Sequence, residues 1–238
     1  MKFLATTTQA LAVLLCLGIA PLGSSVARAQ DVRVTPEVLT VVPIGLGAAV
    51  EAEVSQIRFG LGLMWVPPAY VELADEVGQA VGGYNDLTSA LVRAATENAL
   101  ALQLRAGVRP FKDEQFYVDA LYTLLALGGS FSTDDLAAAS GQVEVSGTND
   151  GWDLGSTVHQ VGLEVGYRFL FDDVALRVAL GWNFTVAADV DAQLVTAARF
   201  PGLTDTVEEI GAAYLESTYT SYVHIPLLTV AVGWDLYP

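Results

Sequence analysis

Seven stretches of this chain alternate apolar residues with small or polar ones at a period of two, the pattern of a strand whose faces meet different surroundings. In the first, Val42, Ile44, Leu46, Ala48 and Val50 oppose Pro43, Gly45, Gly47, Ala49 and Glu51. The pattern returns over residues 57–65, 100–109, 116–124, 161–169, 174–186 and 228–236. The apolar face of all these runs carries no charge. The opposite face holds Arg58, Arg105, Arg109, Asp119, Glu164, Arg168, Arg177 and Asp235 together with Glu51, set among Gly, Ala and Thr. A solvated sheet face is normally larger and more polar than that, so the small, sparsely charged face reads as a lumen. The reverse arrangement, with apolar side chains lining a ligand-binding cup, is the alternative for a barrel of this size.

Hydropathy supports the lumen reading. Hydrophobic residues make up 53% of the 238 residues and charged ones 16%, with a mean hydropathy of +0.45. Beyond the first thirty residues no apolar run reaches the roughly 18–20 residues of a membrane-crossing helix. Contact with lipid would therefore have to be made by strands, closed into a barrel so that no backbone group is left unpaired.

Residues 1–29 have the three-part layout of a secretory signal peptide: Lys2, the apolar stretch 11–19, and Ala27-Arg28-Ala29 before Gln30. Cleavage after Ala29 is expected, leaving 30–238 as one barrel domain. The only cysteine, Cys16, lies inside the leader and follows the bulky Leu15, unlike a lipoprotein processing site. The exported chain then has neither a disulfide nor a thiol nucleophile.

The aromatic residues fall into two groups. Phe111, Phe116, Phe169, Phe171, Trp234 and Tyr237 lie beside short connections or the chain end, whereas Trp65, Tyr70, Phe184, Tyr219 and Tyr222 lie toward long ones. Two aromatic girdles flanking an apolar band mark the water interfaces of a transmembrane barrel. On this pattern the chain resembles the small outer-membrane β-barrel proteins of Gram-negative bacteria. The resemblance implies an all-β, antiparallel transmembrane barrel in the outer membrane, in contact with its lipid and lipopolysaccharide. Family members usually end in an aromatic residue, whereas this chain ends Trp234-Asp235-Leu236-Tyr237-Pro238.

Connections alternate in length: 52–56, 111–114 and 171–173 are short, while 66–98, 125–159 and 187–221 are long. An even strand number requires an eighth strand before Val42, and residues 31–40 must supply it, with Pro36 restricted to an edge or bend. Helices are expected in the long loops, packed over the barrel mouth. One is opened by Pro68 and runs to Val81, one spans 86–98, and one is capped by Asp205 with Glu208 three residues on.

An eight-stranded barrel is just filled by its own side chains, so the lumen charges should pair with one another and with water, giving a plugged scaffold with a structural or surface-interaction role. A narrow ion or small-solute channel is the alternative. Catalysis is not expected. Lipid A deacylase-type barrels, which this chain resembles in architecture, use a His-x-Ser pair, and here the corresponding residues read His159-Gln160-Val161 and His224-Ile225-Pro226. Ser156 and Ser221 are the serines nearest to them in sequence. With 27 acidic against 11 basic residues, nucleic acid is an improbable partner. Acidic loop residues such as Asp75, Asp134, Asp153, Asp189 and Glu209 could instead bind divalent cations that bridge to lipopolysaccharide. The run Asn149-Asp150-Gly151-Trp152-Asp153 lacks a full calcium-ligand series, and no cofactor motif occurs.

Overall fold

The computed structural model describes residues 32–72, 76, 99–112, 114–132, 151–194, 212–213, 216, 220 and 224–236, of which 131, 132, 152, 154, 192, 194 and 224 by backbone alone. The leader, the second expected helix and Asp205 lie outside these residues. Eight strands follow in order: β1 (Val32–Val42), β2 (Gly45–Val54), β3 (Ile57–Trp65), β4 (Leu100–Val108), β5 (Phe116–Ser132), β6 (Gly151–Phe171), β7 (Val174–Leu194) and β8 (His224–Trp234). Each pairs antiparallel with its neighbour, and β1 pairs with β8, so the sheet closes into a barrel.

Register sets the barrel's proportions. A row of paired residues from Val32 passes through Val54, Ile57, Val108, Val118, Val165, Leu180 and Leu228 and returns to β1 at Val42, ten residues further along. That stagger tilts the strands and leaves an interior that side chains can fill. The period-two faces land as the alternation demands. Leu163 and Leu180 point outward and are 62% and 64% exposed, whereas Glu164 and Arg177 point inward and are fully buried.

The segment 31–40 does contribute the eighth strand. Pro36 lies opposite Val50 in β2, while pairing with β8 begins only at Glu37, so the missing N–H falls just outside the closing ladder. The first alternating run is corrected in one respect. Val42 ends β1, Pro43 and Ile44 form a two-residue turn, and Ile44 is buried instead of facing outward. The long connections are also shorter than the alternation alone suggests, because β5, β6 and β7 continue to Ser132, Gly151 and Leu194. These three strands rise beyond the rim as a paired extension.

A bulge explains why the alternation was lost there. Gln160 pairs with Thr185 but His159 pairs with Ala187, leaving Val186 without a partner in β6. Val186 and Ala187 both point outward, so the faces of β7 exchange parity: Asp189 and Asp191 are exposed, while Ala188 and Val190 pack inward. At the other end, the two-residue turns Ser55–Gln56 and Asp172–Asp173 each begin with a residue at positive φ, 61° and 50°, as tight hairpins of this hand require.

The apolar core lies inside the barrel toward the long-loop end. Leu39, Val41, Ile44, Met64, Leu125, Val158 and Leu227 form one buried cluster, covered by Leu127, Ala188, Val190 and Ile225. The first loop helix begins at Pro68, as its proline position predicts, and is described to Glu72. Val71 packs there with Val66, Ala99 and Leu127 over the barrel end, and the Tyr70 hydroxyl pairs with Thr40 Oγ1 at 2.5 Å. Of the third expected helix, Ala212, Ala213, Glu216 and Thr220 are described and helical.

The bulge generates a test. Deleting Val186 places Ala187 directly after Thr185 and preserves alternation, so the shortened protein should fold with unchanged heat-dependent gel mobility. Deleting Ala179 in the regular part of the same strand reverses the faces around it and should sharply lower the folded fraction.

Candidate functional site: the barrel interior

From the short-turn end upward, the interior is built in three layers, each supplied by the inward parity of several strands. The lowest layer lines the mouth. Arg109 Nη2 lies 2.5 Å from Glu53 Oε1, and Arg33 Nε lies 3.4 Å from Asp235 Oδ2. Arg168 is hydrogen-bonded to Asp235, donates to Thr35 Oγ1 at 2.9 Å and approaches Glu53 Oε2 at 3.9 Å. Thr35 Oγ1 in turn donates to Asp235 Oδ1 at 2.6 Å.

Arg177 organises the second layer. Its Nη2 donates to Glu37 Oε2 at 2.9 Å and its Nη1 to Glu164 Oε1 at 3.0 Å, while its Nε lies 3.6 Å from Glu51 Oε2. Glu164 also accepts from the Tyr117 hydroxyl at 3.1 Å and from Thr229 Oγ1 at 2.6 Å. Arg58 pairs with Glu51, approaches Asp119 Oδ2 at 3.8 Å, and lies over the Tyr117 ring 3.6 Å from its centroid. The ring face is electron-rich, so this stacking adds attraction.

Glycines make room for these side chains. Tyr117 faces Gly166 across the β5–β6 ladder, and a Cβ there would lie 2.4 Å from the phenol oxygen. A Cβ on Gly107 would lie 2.1 Å from Asp119 Oδ1, and one on Gly60 2.8 Å from Arg105 Nε. The small inward face is thus the complement of the large charged side chains opposite.

The third layer is neutral and polar. Thr123 Oγ1 accepts from Gln103 Nε2 at 3.4 Å and Asn183 Nδ2 at 3.2 Å, and Gln160 Nε2 donates to Thr185 Oγ1 at 3.3 Å. Asn183 Nδ2 also reaches Gln160 Oε1 at 3.2 Å. Above this belt lies the apolar cluster.

All eight charged residues expected in the lumen point into it, though they are not equivalent. Among the described residues Asp119 makes no side-chain hydrogen bond and lies 3.8 Å from Arg58 Nη2, and of the five arginines only Arg105 makes none to protein. Its nearest acid is Glu37 Oε2, 3.6 Å from Nη2 and already bonded to Arg177. Three members escaped sequence reasoning: Arg33, Glu37 and Glu53. The signal for the first two was the alternation Arg33, Thr35, Glu37 across Pro36, and for the third the parity of Glu51, which continues one step to Glu53. With them the described interior balances six arginines, 33, 58, 105, 109, 168 and 177, against six acids, 37, 51, 53, 119, 164 and 235.

The outer surface bears a different polar group. His159 Nδ1 and the Tyr122 hydroxyl are 2.7 Å apart, and the two rings are tilted by 45°. Ser156 is buried, three residues away on the opposite face of the same strand, so it does not share this surface with His159. The His224 side chain, Ser221, Asn149 and Asp150 lie outside the described residues. Exposed and half-buried aromatics gather near the two ends. Phe111 with Phe116 at 6.3 Å and Tyr167 with Phe169 at 5.0 Å lie near the short turns, and Trp182 with Phe184 at 6.5 Å near the loops.

The contrast between Arg177 and Arg105 predicts opposite outcomes. Arg177→Met strands Glu37 and Glu164 without their principal cation and should cost about 3–5 kcal/mol. Arg105→Met removes a buried cation that makes no protein hydrogen bond and should be neutral to slightly stabilising. Guanidinium unfolding of the refolded protein in detergent measures both.

The sequence matches no protein-family model and no curated protein sequence. Among solved structures, the chain is similar to Acinetobacter baumannii CarO, with 14% identity over 85% of this chain and 96% of that one, at a TM-score of 0.34. For Acinetobacter baumannii CarO2 the corresponding values are 16%, 86%, 97% and 0.37. For a major outer membrane protein from Thermus thermophilus they are 10%, 86%, 99% and 0.39. At these scores the eight-stranded architecture rests on the chain's own closed register.

Proposed function

We propose that this chain is an integral outer-membrane barrel, exported by a cleaved leader, whose closed lumen makes it a structural or surface-interaction scaffold. The apolar cluster above the charged layers carries the proposal. An ion leaving the Arg177 layer would have to pass Leu39, Val41, Met64, Leu125 and Val158, all buried at 8% exposure or less, without a polar partner. Such a constriction excludes ions by the cost of dehydration.

Membrane residence follows from the inverted surface. β3 and β4 are nine residues long and β8 eleven, close to what a tilted strand needs to cross the hydrocarbon core. Their described outward side chains are Leu, Ile, Phe, Val, Ala, Pro and Trp. In this orientation both described chain ends and the turns at 55–56 and 172–173 face the periplasm, while the Pro43–Ile44 turn and the β5–β7 extension face outside. The exposed Asp153, Asp189 and Asp191 of that extension would meet lipopolysaccharide through bridging divalent cations.

Two measurements test this reading. Leu180→Arg and Val232→Arg, both on the outward face, should each cost about 2–4 kcal/mol if near the bilayer midplane. Tolerance of both would return the chain to a soluble barrel. Refolded protein whose insertion is verified by gel shift should give no unitary currents in a planar bilayer. Steady currents altered by Arg105→Ala would establish the narrow channel instead.

A further inference from the structure

We propose that the lumen is a one-sided well of ordered water, filled from the periplasmic mouth, centred between Arg105 and Asp119 and ending at the apolar cluster. The inference rests on the closed-barrel reading and adds the occupant of its interior. Its starting point is the distribution of buried polar atoms that have no protein partner.

Arg105 Nε, Nη1 and Nη2 are all in this position, on a side chain only 2% exposed. Asp119 Oδ1 is another, and it lies over Gly107, two residues along the inward face from Arg105. Unspent donors thus sit beside an unspent acceptor. Just above, Gln103 Oε1 and Asn183 Oδ1 are acceptors without donors. Leaving such groups bare would cost the full desolvation of each, most of all for the charged ones.

The occupant must both accept and donate. A small anion could accept from Arg105, but it would meet Glu37 Oε2, which is 3.6 Å from Arg105 Nη2, and it could donate nothing to Asp119, Gln103 or Asn183. A cation would be repelled by Arg105. Water meets every requirement, and buried waters typically make about three such bonds.

The same atoms give the well its direction. Arg33 Nη1, Glu53 Oε2, Arg109 Nε, and Arg168 Nε and Nη1 continue the series down to the mouth, where Arg33 is 26% exposed. In the opposite direction the series stops at the cluster of Leu39, Val41, Met64 and Leu125. Beyond that cluster Ser156 Oγ is the one such atom among the described residues.

Water-selective NMR on isotope-labelled protein refolded in micelles tests the proposal. Arg105 Nε–H and the Gln103 side-chain amide should show cross-peaks to water, whereas the methyl groups of Leu39, Val41 and Leu125 should show none. Arg105→Met should abolish the water cross-peak of Gln103 while the protein keeps its folded spectrum. Silence at Arg105 in spectra where Arg33 responds would overturn the well. Water cross-peaks at the Leu125 methyls would overturn its closed end. A saturable shift of the Arg105 signal when chloride replaces gluconate at constant ionic strength would assign the site to an anion and overturn water as its occupant. The bilayer currents report independently on the closed barrel: a silent bilayer with a dry Arg105 rejects the well alone, whereas steady currents reject the closed lumen.

Discussion

Closure between β1 and β8 is the interaction on which the rest of this structure depends. In a surrounding without water, an open sheet edge leaves a row of backbone donors and acceptors unsatisfied, and only a closed ladder removes both edges. Here the closing ladder runs from Glu37–Gly233 to Val42–Leu228, shorter than the β1–β2 ladder because Pro36 has no N–H to give. Below Pro36 the seam is held by other means. Leu236 N donates to Val34 O at 3.0 Å, Thr35 bonds Asp235, and Arg33 pairs with Asp235. Arg177 of β7 reaches across β8 to Glu37 of β1, so the buried charges also tie the seam.

Stagger and filling follow from closure. With eight strands and a ten-residue shift the interior is narrow, and every inward position competes for the same volume. The pairing of Gly166 with Tyr117 shows how the competition is settled: a large side chain is admitted only where its cross-strand neighbour has none. Gly107 beside Asp119 and Gly60 beside Arg105 repeat the arrangement for charged groups. Inward composition therefore looks small on average, though it holds four buried arginines and Tyr117.

Period two was enough to read the fold and to orient the faces, because each strand between Ile57 and Trp234 keeps its apolar set outward over the length of the apolar band. It was not enough where a local event breaks the count. The turn at Pro43 and Ile44 joins two strands without interrupting apolar spacing, so Val42 and Ile44 read as one face when they belong to a strand end and a turn. Val186 in the β7 bulge hides eight further strand residues by the same arithmetic. Inside the barrel the charged members of the site were legible, since a charged side chain within a run whose other face is wholly apolar has only the lumen to face. The apolar cluster was not. Met64 and Leu121 stand among small and polar residues on the inward face, and only the fold brings Met64 together with Leu39, Leu125, Val158 and Leu227 from strands far apart in sequence, with Leu121 in the same cluster.

Buried ion pairs of this kind seldom add net stability, because desolvating both partners cancels most of their attraction. Their contribution here lies in register. Shifting any one strand by a residue would exchange its faces, turning Arg58, Arg105, Arg168 or Arg177 onto the outer face, at about 2–4 kcal/mol for each near mid-bilayer on the membrane reading proposed above, while driving Leu, Phe or Trp into the interior. An interior of Ala and Leu would pack, but a slipped strand would then differ little from a correct one. The charges make the slipped alternatives expensive on seven of the eight strands at once, since Glu37, Glu51, Arg58, Arg105, Asp119, Glu164 and Arg177 come from β1, β2, β3, β4, β5, β6 and β7 in turn. The strand that lacks such a residue, β8, carries Thr229 on Glu164 and is flanked on both sides by strands that have one. A polar interior thus selects one register among the many that a closed eight-stranded sheet could adopt.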